Sequence, residues 1–469
     1  MDLFGHLAAQ GAMINRLSSD SRRCTPGVAF FAYPGEAADG RAHIEDAIAR
    51  GASAVLWEKE GFDWRNEWRV PHVSVQGLKQ RAGALAHEFY GRPSESLWVC
   101  GVTGTNGKTS CSQWIAALAG KKAAVIGTLG AGFPGALSAA SNTTPDALET
   151  HFLLEEFRQA GAAAVAMEVS SHGLVQGRVN GVRFACALFT NLTHDHLDYH
   201  GSMANYAAAK ARLFEMPGLQ AAVLNLDDPL GVQLAQRLAG KVRTIGYSLA
   251  RRAAPVDDYI VEGIHSSWGT APVRLPVLGR FNVSNALGVL GCLVASGIPF
   301  AEAAKRLESL PPVPGRMQVV GEAPLVVIDY AHTPDALDNV LQALRPVAEA
   351  RGGRLAVVFG AGGDRDPTKR PLMGAVAARL ADRVLLTSDN PRSENPLAII
   401  AAIQKGVASG HEVEADRARA IEQAILKADL ADVVLIAGKG HETYQEIAGR
   451  RAHFSDEAHA RAALLRRPR

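Results

Sequence analysis

Short apolar runs recur along this chain, each followed by a polar break and then by apolar residues at helical spacing. Residues 28–32 and 52–57 read as strands around a helix over 43–50 that ends at Gly51. Residues 97–102 form a buried strand, and 110–118 a helix with Trp114, Ile115 and Leu118 at core spacing. Strand-like runs follow at 123–128, 163–167, 187–191 and 221–225, with a helical stretch over 203–214. Residues 240–275 read as irregular or antiparallel, and a helix starts within 278–286. Four more apolar runs lie at 325–329, 355–359, 384–387 and 433–437. Strands alternating with helices predict an α/β protein with mainly parallel sheets.

A chain of 469 residues exceeds one core, so roughly three domains are expected. Gly91-Arg92-Pro93-Ser94 reads as a linker and Pro311-Pro312-Val313-Pro314-Gly315-Arg316 as a second boundary. The expected domains are 1–90, 91–315 and 316–469. Net charge is only +2, so no global field favours nucleic acid or a membrane surface. No run of ~18 apolar residues could span a bilayer, and the N-terminus has no basic segment before an apolar one. The five cysteines are scattered without metal spacing, as a reducing cytoplasm allows.

The strand at 97–102 enters Thr103-Gly104-Thr105-Asn106-Gly107-Lys108-Thr109-Ser110. Strand, glycine-rich turn ending in Gly-Lys-Thr, then helix is the setting of a phosphate-binding loop. Backbone N–H groups and the helix N-terminus face the phosphates. Lys108 reaches the terminal ones, and the Thr109 hydroxyl serves Mg²⁺. The loop says nucleoside triphosphate; it does not say which chemistry. Glu168 ends the strand at 163–167 and is placed to organise Mg²⁺. His194, Asp195, His196, Asp198 and His200 cluster after 187–191 as an ion or phosphate site, without the spacing of a zinc centre. Lys210, among small helical residues, reads as a solvated charge. Asn282 and Asn285 share a helix face and can read adenine. Residues 19–22 and 35–41 read first as turns, and 141–146 either offers side-chain donors and acceptors or simply opens the helix at Ala147. In the third domain each apolar run empties into a polar loop, where an open parallel sheet binds ligands. Gly360 to Gly363 is a rival nucleotide site, but lacks the Gly-x-Gly-x-x-Gly spacing.

Thr103 to Thr109, Glu168-Val169-Ser170-Ser171-His172, Asp195-His196-Leu197-Asp198, Gly279-Arg280-Phe281-Asn282, Pro314-Gly315-Arg316 and Asp329-Tyr330-Ala331-His332 together resemble the Mur ligase family. These are ATP-dependent amide ligases of peptidoglycan precursor synthesis. The resemblance covers essentially the whole chain. Asp389-Asn390-Pro391-Arg392 is similar to the members that add meso-diaminopimelate to UDP-N-acetylmuramoyl-L-alanyl-D-glutamate.

The resemblance implies a uridine-nucleotide domain, a central P-loop ATPase domain and a Rossmann-like C-terminal domain, in a cytoplasmic monomer that uses ATP and Mg²⁺. It implies ATP contacts from Gly104 to Ser110 and from Asn282, Asn285, Arg316 and Asp329. Ser19, Ser21, Glu36, Ala37, Ala38, Asn142, Thr143, Thr144, Ser170, Gln176 and Arg178 would hold the UDP-muramoyl-dipeptide. Ser19 stands where a leucine is usual, and Glu36-Ala37-Ala38 where some members have His-Gln-Ala. Arg365, Asp389, Asn390, Pro391, Arg392, Gly438 and Glu442 would hold diaminopimelate. Catalysis would fall to Lys108, Glu168, His196 and a carbamylated Lys210, with one Mg²⁺ on Thr109 and Glu168 and a second on Glu168, His196 and the carbamylated Lys210. This overturns the solvated reading of Lys210. Two rivals are a folylpolyglutamate synthase, which would lack the first domain, and a non-enzymatic NTP-dependent switch, which would need neither the Glu168, His196 and Lys210 set nor four polar strand-end loops.

Overall fold

The computed structural model describes residues 2–36, 38–140, 142–250, 256, 258–261, 265–407 and 410–467. Its apolar runs form three parallel-rich sheets in chain order. The first joins Arg16–Ser18, Val28–Ala32, Ala54–Glu58 and His72–Val75, all parallel. Val28–Ala32 and Ala54–Glu58 are buried along their whole length, which is why they read as continuous apolar runs. The expected linker is itself folded. Pro93–Ser96 is a helical turn with Pro93 at its start, and the buried Ser94 hydroxyl accepts from the Arg183 N–H at 3.0 Å.

Among the described residues the second sheet has 11 strands, and Trp98–Thr103 lies near its middle between Ala164–Glu168 and Cys186–Phe189. Both neighbours run parallel to it, so three C-terminal strand ends open beside the phosphate-binding loop. The helix Arg280–Ala295 covers one face. Residues 240–275 depart from expectation. Arg243–Ser248 extends the sheet as a parallel strand beside Ala221–Asn225, and Asp258–Val261 pairs parallel with it. Antiparallel pairing begins only with His265–Ser266 and Gly269–Thr270. Residues 251–255, 257 and 262–264 lie outside the described residues. Arg243–Ser248 buries Thr244 and Ser248 alongside Ile245 and Tyr247, so no apolar run announces it.

The scattered cysteines also meet. Cys100, Cys186 and Cys292 are buried between sheet and helix with sulfur atoms within 4.8 Å of one another. All five cysteines are free and buried.

The third sheet takes the four apolar runs in the order Leu325–Asp329, Val433–Ala437, Leu355–Phe359, Arg383–Leu386, all parallel. Gln318–Glu322 adds an antiparallel edge, and His411–Val413 a parallel one. A hairpin of Tyr444–Ile447 and Arg450–His453, not anticipated from the sequence, folds beside the strand ends. Among the described residues no helix is long and apolar enough to cross a membrane.

Candidate active site

Gly107 opens the helix Lys108–Leu118 at φ 87°, and a side chain there would strike the Asn285 amide oxygen at 2.5 Å. The turn is held from the neighbouring strand end. Thr190 Oγ1 donates to Asn106 O at 2.6 Å, Asn191 Oδ1 accepts from Asn106 N at 2.9 Å, and Asn191 O accepts from Thr105 N at 2.8 Å. Lys108 Nζ donates to the carbonyls of Gly104 and Thr105, both at 2.8 Å. Burial lowers the Lys108 pKa against the opposing pull of Glu168 and Asp195.

Glu168 accepts from the hydroxyls of Thr109 and Thr128, each at 3.1 Å, and from the Thr128 N–H at 2.8 Å. Arg316, from the start of the third domain, donates to Thr109 Oγ1 at 3.1 Å and lies 4.5 Å over the Tyr330 ring. Asp329 accepts from the N–H groups of Met317 and Ala331 at 2.7 and 2.8 Å, while burial raises its pKa. Asn106 reaches Asp335 across the same boundary at 3.4 Å.

These groups line one cavity of about 440 Å³, a size suited to a small-molecule ligand. Thr105 to Ser110, Thr143, Glu168, His196, Asn282, Asn285, Arg316 and Asp329 all face it. Asn285 Nδ2 donates to Asn282 Oδ1 at 3.4 Å, so the expected shared face is real. His196 Nε2 stands 3.3 Å from Asp195; burial lowers the imidazole pKa although Asp195 opposes it.

Lys210 is no solvated charge: it is 1 % exposed, and its Nζ donates to Gly104 O at 2.8 Å, beneath the phosphate-binding loop. Burial, aided by the Lys108 charge, holds its pKa well below the ordinary lysine range. The surrounding alanines, which gave no sign of this, are what let the helix pack so closely.

Toward the first domain, Arg178 donates to Thr144 O at 2.8 Å and to Gln176 Oε1 at 2.7 Å. Gln176 and Tyr199 both bond the Glu36 carboxylate, at 2.6 and 2.8 Å. Thr144 and Ser170 share a hydrogen bond of 3.1 Å, and Ser19 donates to Asp146 at 3.3 Å. Ser21 is buried and bonds Asp46. Asn142 and Ala38 are exposed, and Ala37 lies outside the described residues.

At the third domain's strand ends, Asn390 Nδ2 donates to Glu442 Oε2 at 2.8 Å. Asn390 Oδ1 accepts from Lys439 Nζ and Glu446 N, both at 3.0 Å. Lys439 also bonds Glu442 at 3.0 Å and is fully buried. Arg392 donates to Gly363 O at 2.6 Å, whereas Arg365 is exposed on its loop. Gly438 has φ 115°, and a side chain there would meet Asp389 at 2.5 Å. Gly360 to Gly363 has a packing explanation. A Cβ at Gly360 would strike Thr387 O at 2.3 Å, and one at Gly363 would strike Pro391 O at 1.9 Å. These glycines admit the 387–391 loop rather than a dinucleotide.

Comparison with known proteins matches residues 13–90 to the Mur ligase family catalytic domain, 102–293 to the Mur ligase middle domain and 315–440 to the Mur ligase glutamate ligase domain. The chain is 51 % identical to the UDP-N-acetylmuramoyl-L-alanyl-D-glutamate--2,6-diaminopimelate ligase of Ralstonia nicotianae, over 96 % of this chain and 93 % of that protein. The chain belongs to the Mur ligase family. The protein of the same name from Chromobacterium violaceum is also 51 % identical, over 97 % of this chain and 95 % of its own. A solved structure of a ligase of that name superposes with a TM-score of 0.67 at 38 % identity, covering 96 % of this chain and 95 % of that one.

Of the positions expected to hold ATP, Gly104 alone does not line the cavity, and its carbonyl is held by Lys108 and Lys210. Sequence reasoning missed Thr128, Asp335 and Asn339 in the lining, and Lys439 under the amino-acid loops. Lys439 carried a signal, a lysine between two glycines at a strand end.

Proposed function

We propose that this protein joins meso-2,6-diaminopimelate to the D-glutamate γ-carboxylate of UDP-N-acetylmuramoyl-L-alanyl-D-glutamate, with cleavage of ATP to ADP and phosphate. The whole-length likeness to ligases of that name supports the reading. The observation that carries it is the single cavity in which Lys108, Thr109 and Glu168 of one domain meet Arg316 and Asp329 of the next. The first domain takes the uridine nucleotide, the second ATP, and the third the amino acid.

A carboxylate resists an amine because its leaving group would be oxide. Attack of the γ-carboxylate on the ATP γ-phosphorus expels ADP and gives an acyl phosphate. The amine then adds to its carbonyl carbon, and phosphate leaves the tetrahedral intermediate. Lys108 and Arg316 supply fixed positive charge where the transferring phosphoryl group gains negative charge. Asn282 and Asn285 orient the adenine, and Arg178, Thr144 and Ser170 hold the peptide end. The Thr109 hydroxyl, the Glu168 carboxylate and His196 form an oxygen-rich set that fits Mg²⁺, with a carbamate on Lys210 as the further ligand. Bound there, Mg²⁺ offsets phosphate charge. Burial lowers the Lys210 pKa and so favours the uncharged amine, the form that adds to CO₂ with release of a proton. Asp389, Asn390, Pro391, Arg392, Gly438, Glu442 and Arg365 select diaminopimelate. The nucleotide substrates and free thiols fit work in the cytoplasm, where the reading has the protein act as a monomer.

The test is incubation with UDP-N-acetylmuramoyl-dipeptide, Mg²⁺-ATP and a panel of amino acids, with ADP release and product mass measured. A diaminopimelate adduct formed one for one with ADP is expected. ATP turnover without an amide product would overturn the reading.

A further inference from the structure

The strands Val433–Ala437 and Arg383–Leu386 are not neighbours; Leu355–Phe359 runs between them. No ladder hydrogen bond therefore sets the spacing of the loops that follow them. Side chains do: Lys439 and Asn390 link the loops through their side chains, and one further side chain holds the backbone of both. Arg417, at the start of the helix Arg417–Leu426, is 1 % exposed and donates to Ser388 O at 3.3 Å and Ala437 O at 2.9 Å. Those carbonyls immediately precede Asp389 and Gly438. Asp456, fully buried at the start of the helix Asp456–Leu465, grips the same guanidinium through both oxygens at 2.7 Å.

We propose that Arg417, held by Asp456, is a positioning residue that sets the separation of the two amino-acid-binding loops. It touches no substrate. Its planar donor fork suits two carbonyls and a carboxylate at once, which a lysine ammonium cannot match in geometry. The proposal rests on the assignment of residues 389–392 and 438–442 to diaminopimelate.

An ion pair sealed in a core can often be exchanged for apolar residues of like volume without loss of stability, whereas removing one partner strands a charge. The informative variant is therefore Arg417→Met with Asp456→Leu, which keeps the packing and removes both carbonyl tethers. Its melting temperature should stay near that of the wild type. KM for diaminopimelate should rise at least ~10-fold, since small misplacements of positioned groups carry large kinetic penalties. KM for ATP should be unchanged. Arg417→Lys alone, which keeps a cation for Asp456 and one carbonyl, should recover part of the loss. A folded double variant with wild-type KM for diaminopimelate would overturn the proposal, as would equal losses for ATP and amino acid. If the double variant does not fold, Asp456→Asn decides: it keeps one acceptor, and an unchanged KM for diaminopimelate counts against the idea. Failure of the underlying assignment shows differently, as a wild-type enzyme that does not use diaminopimelate.

Discussion

The phosphate-binding turn and the proposed amino-acid site of this molecule are built on opposite plans. At the phosphate end the principal groups come from one uninterrupted turn, residues 103–110, braced by its neighbouring strand end. At the proposed amino-acid end, Asp389, Asn390, Gly438 and Glu442 arrive from two separated strands, and their spacing depends on Arg417, Lys439 and the adjoining hairpin. A local motif carries its geometry with it. A composite pocket borrows its geometry from the surrounding core, so it can be retuned without disturbing the chemistry next door.

The largest expected effects lie at the phosphate end. Lys108→Ala should fold normally and lose at least ~10²-fold in turnover, the usual loss when a preorganised charge is withdrawn from a developing anion. Single-turnover kinetics on a protein of unchanged melting temperature checks this; near-normal rates would remove Lys108 from the mechanism. Lys210→Ala should be almost as inactive, with partial recovery in added short-chain carboxylates. Intact-mass measurement of the active wild type should show the extra mass of one CO₂, and a plain amine in a fully active enzyme would contradict the assignment.

The amino-acid end should respond more selectively. Arg392→Ala should lose diaminopimelate use while ATP binding holds. Wild-type discrimination against lysine should exceed ~10²-fold, because a charge-assisted hydrogen bond is worth roughly 1.5–3 kcal/mol and an unpaired buried charge costs more. The comparison to make is kcat/KM for both amino acids in both proteins. Equal use of lysine by the wild type would erase the distinction between the two ends.

The smallest effect belongs to neither end. His151 is fully buried, donates to Asn180 O at 2.9 Å, and burial lowers its pKa to about 4. A histidine neutral in the fold takes up a proton on unfolding once the pH drops below ~6.5. Its stabilising contribution is complete above that value and fades as pH falls toward about 4, a loss on the order of 3 kcal/mol. Denaturant midpoints at pH 7 and pH 4.5 should differ less in His151→Gln than in the wild type. Identical differences would point the acid sensitivity elsewhere.

What could be read from the sequence follows the same division. The phosphate-binding turn, the four apolar strands of the third domain and the helix face of Asn282 and Asn285 were legible, because each depends on residues close in sequence. Arg243–Ser248 was not, because its buried Thr244 and Ser248 mask the strand. Lys210 was assigned only through family resemblance; nothing in a run of alanines tells whether a helix is covered. Arg417 looks like an ordinary surface cation until Asp456, 39 residues away, folds onto it, and the glycines flanking Lys439 do not name its partner Asn390, 49 residues away.

The buried thiols give the fold a clock. A thiol reagent in water cannot reach Cys100, Cys111, Cys186 or Cys292 while the helix Arg280–Ala295 packs on the sheet and on the helix Lys108–Leu118. Each labelling rate therefore times one opening event in a protein that has not otherwise unfolded. Cys24 reports the first domain in the same way, so the thiols time the breathing of the first and second domains separately.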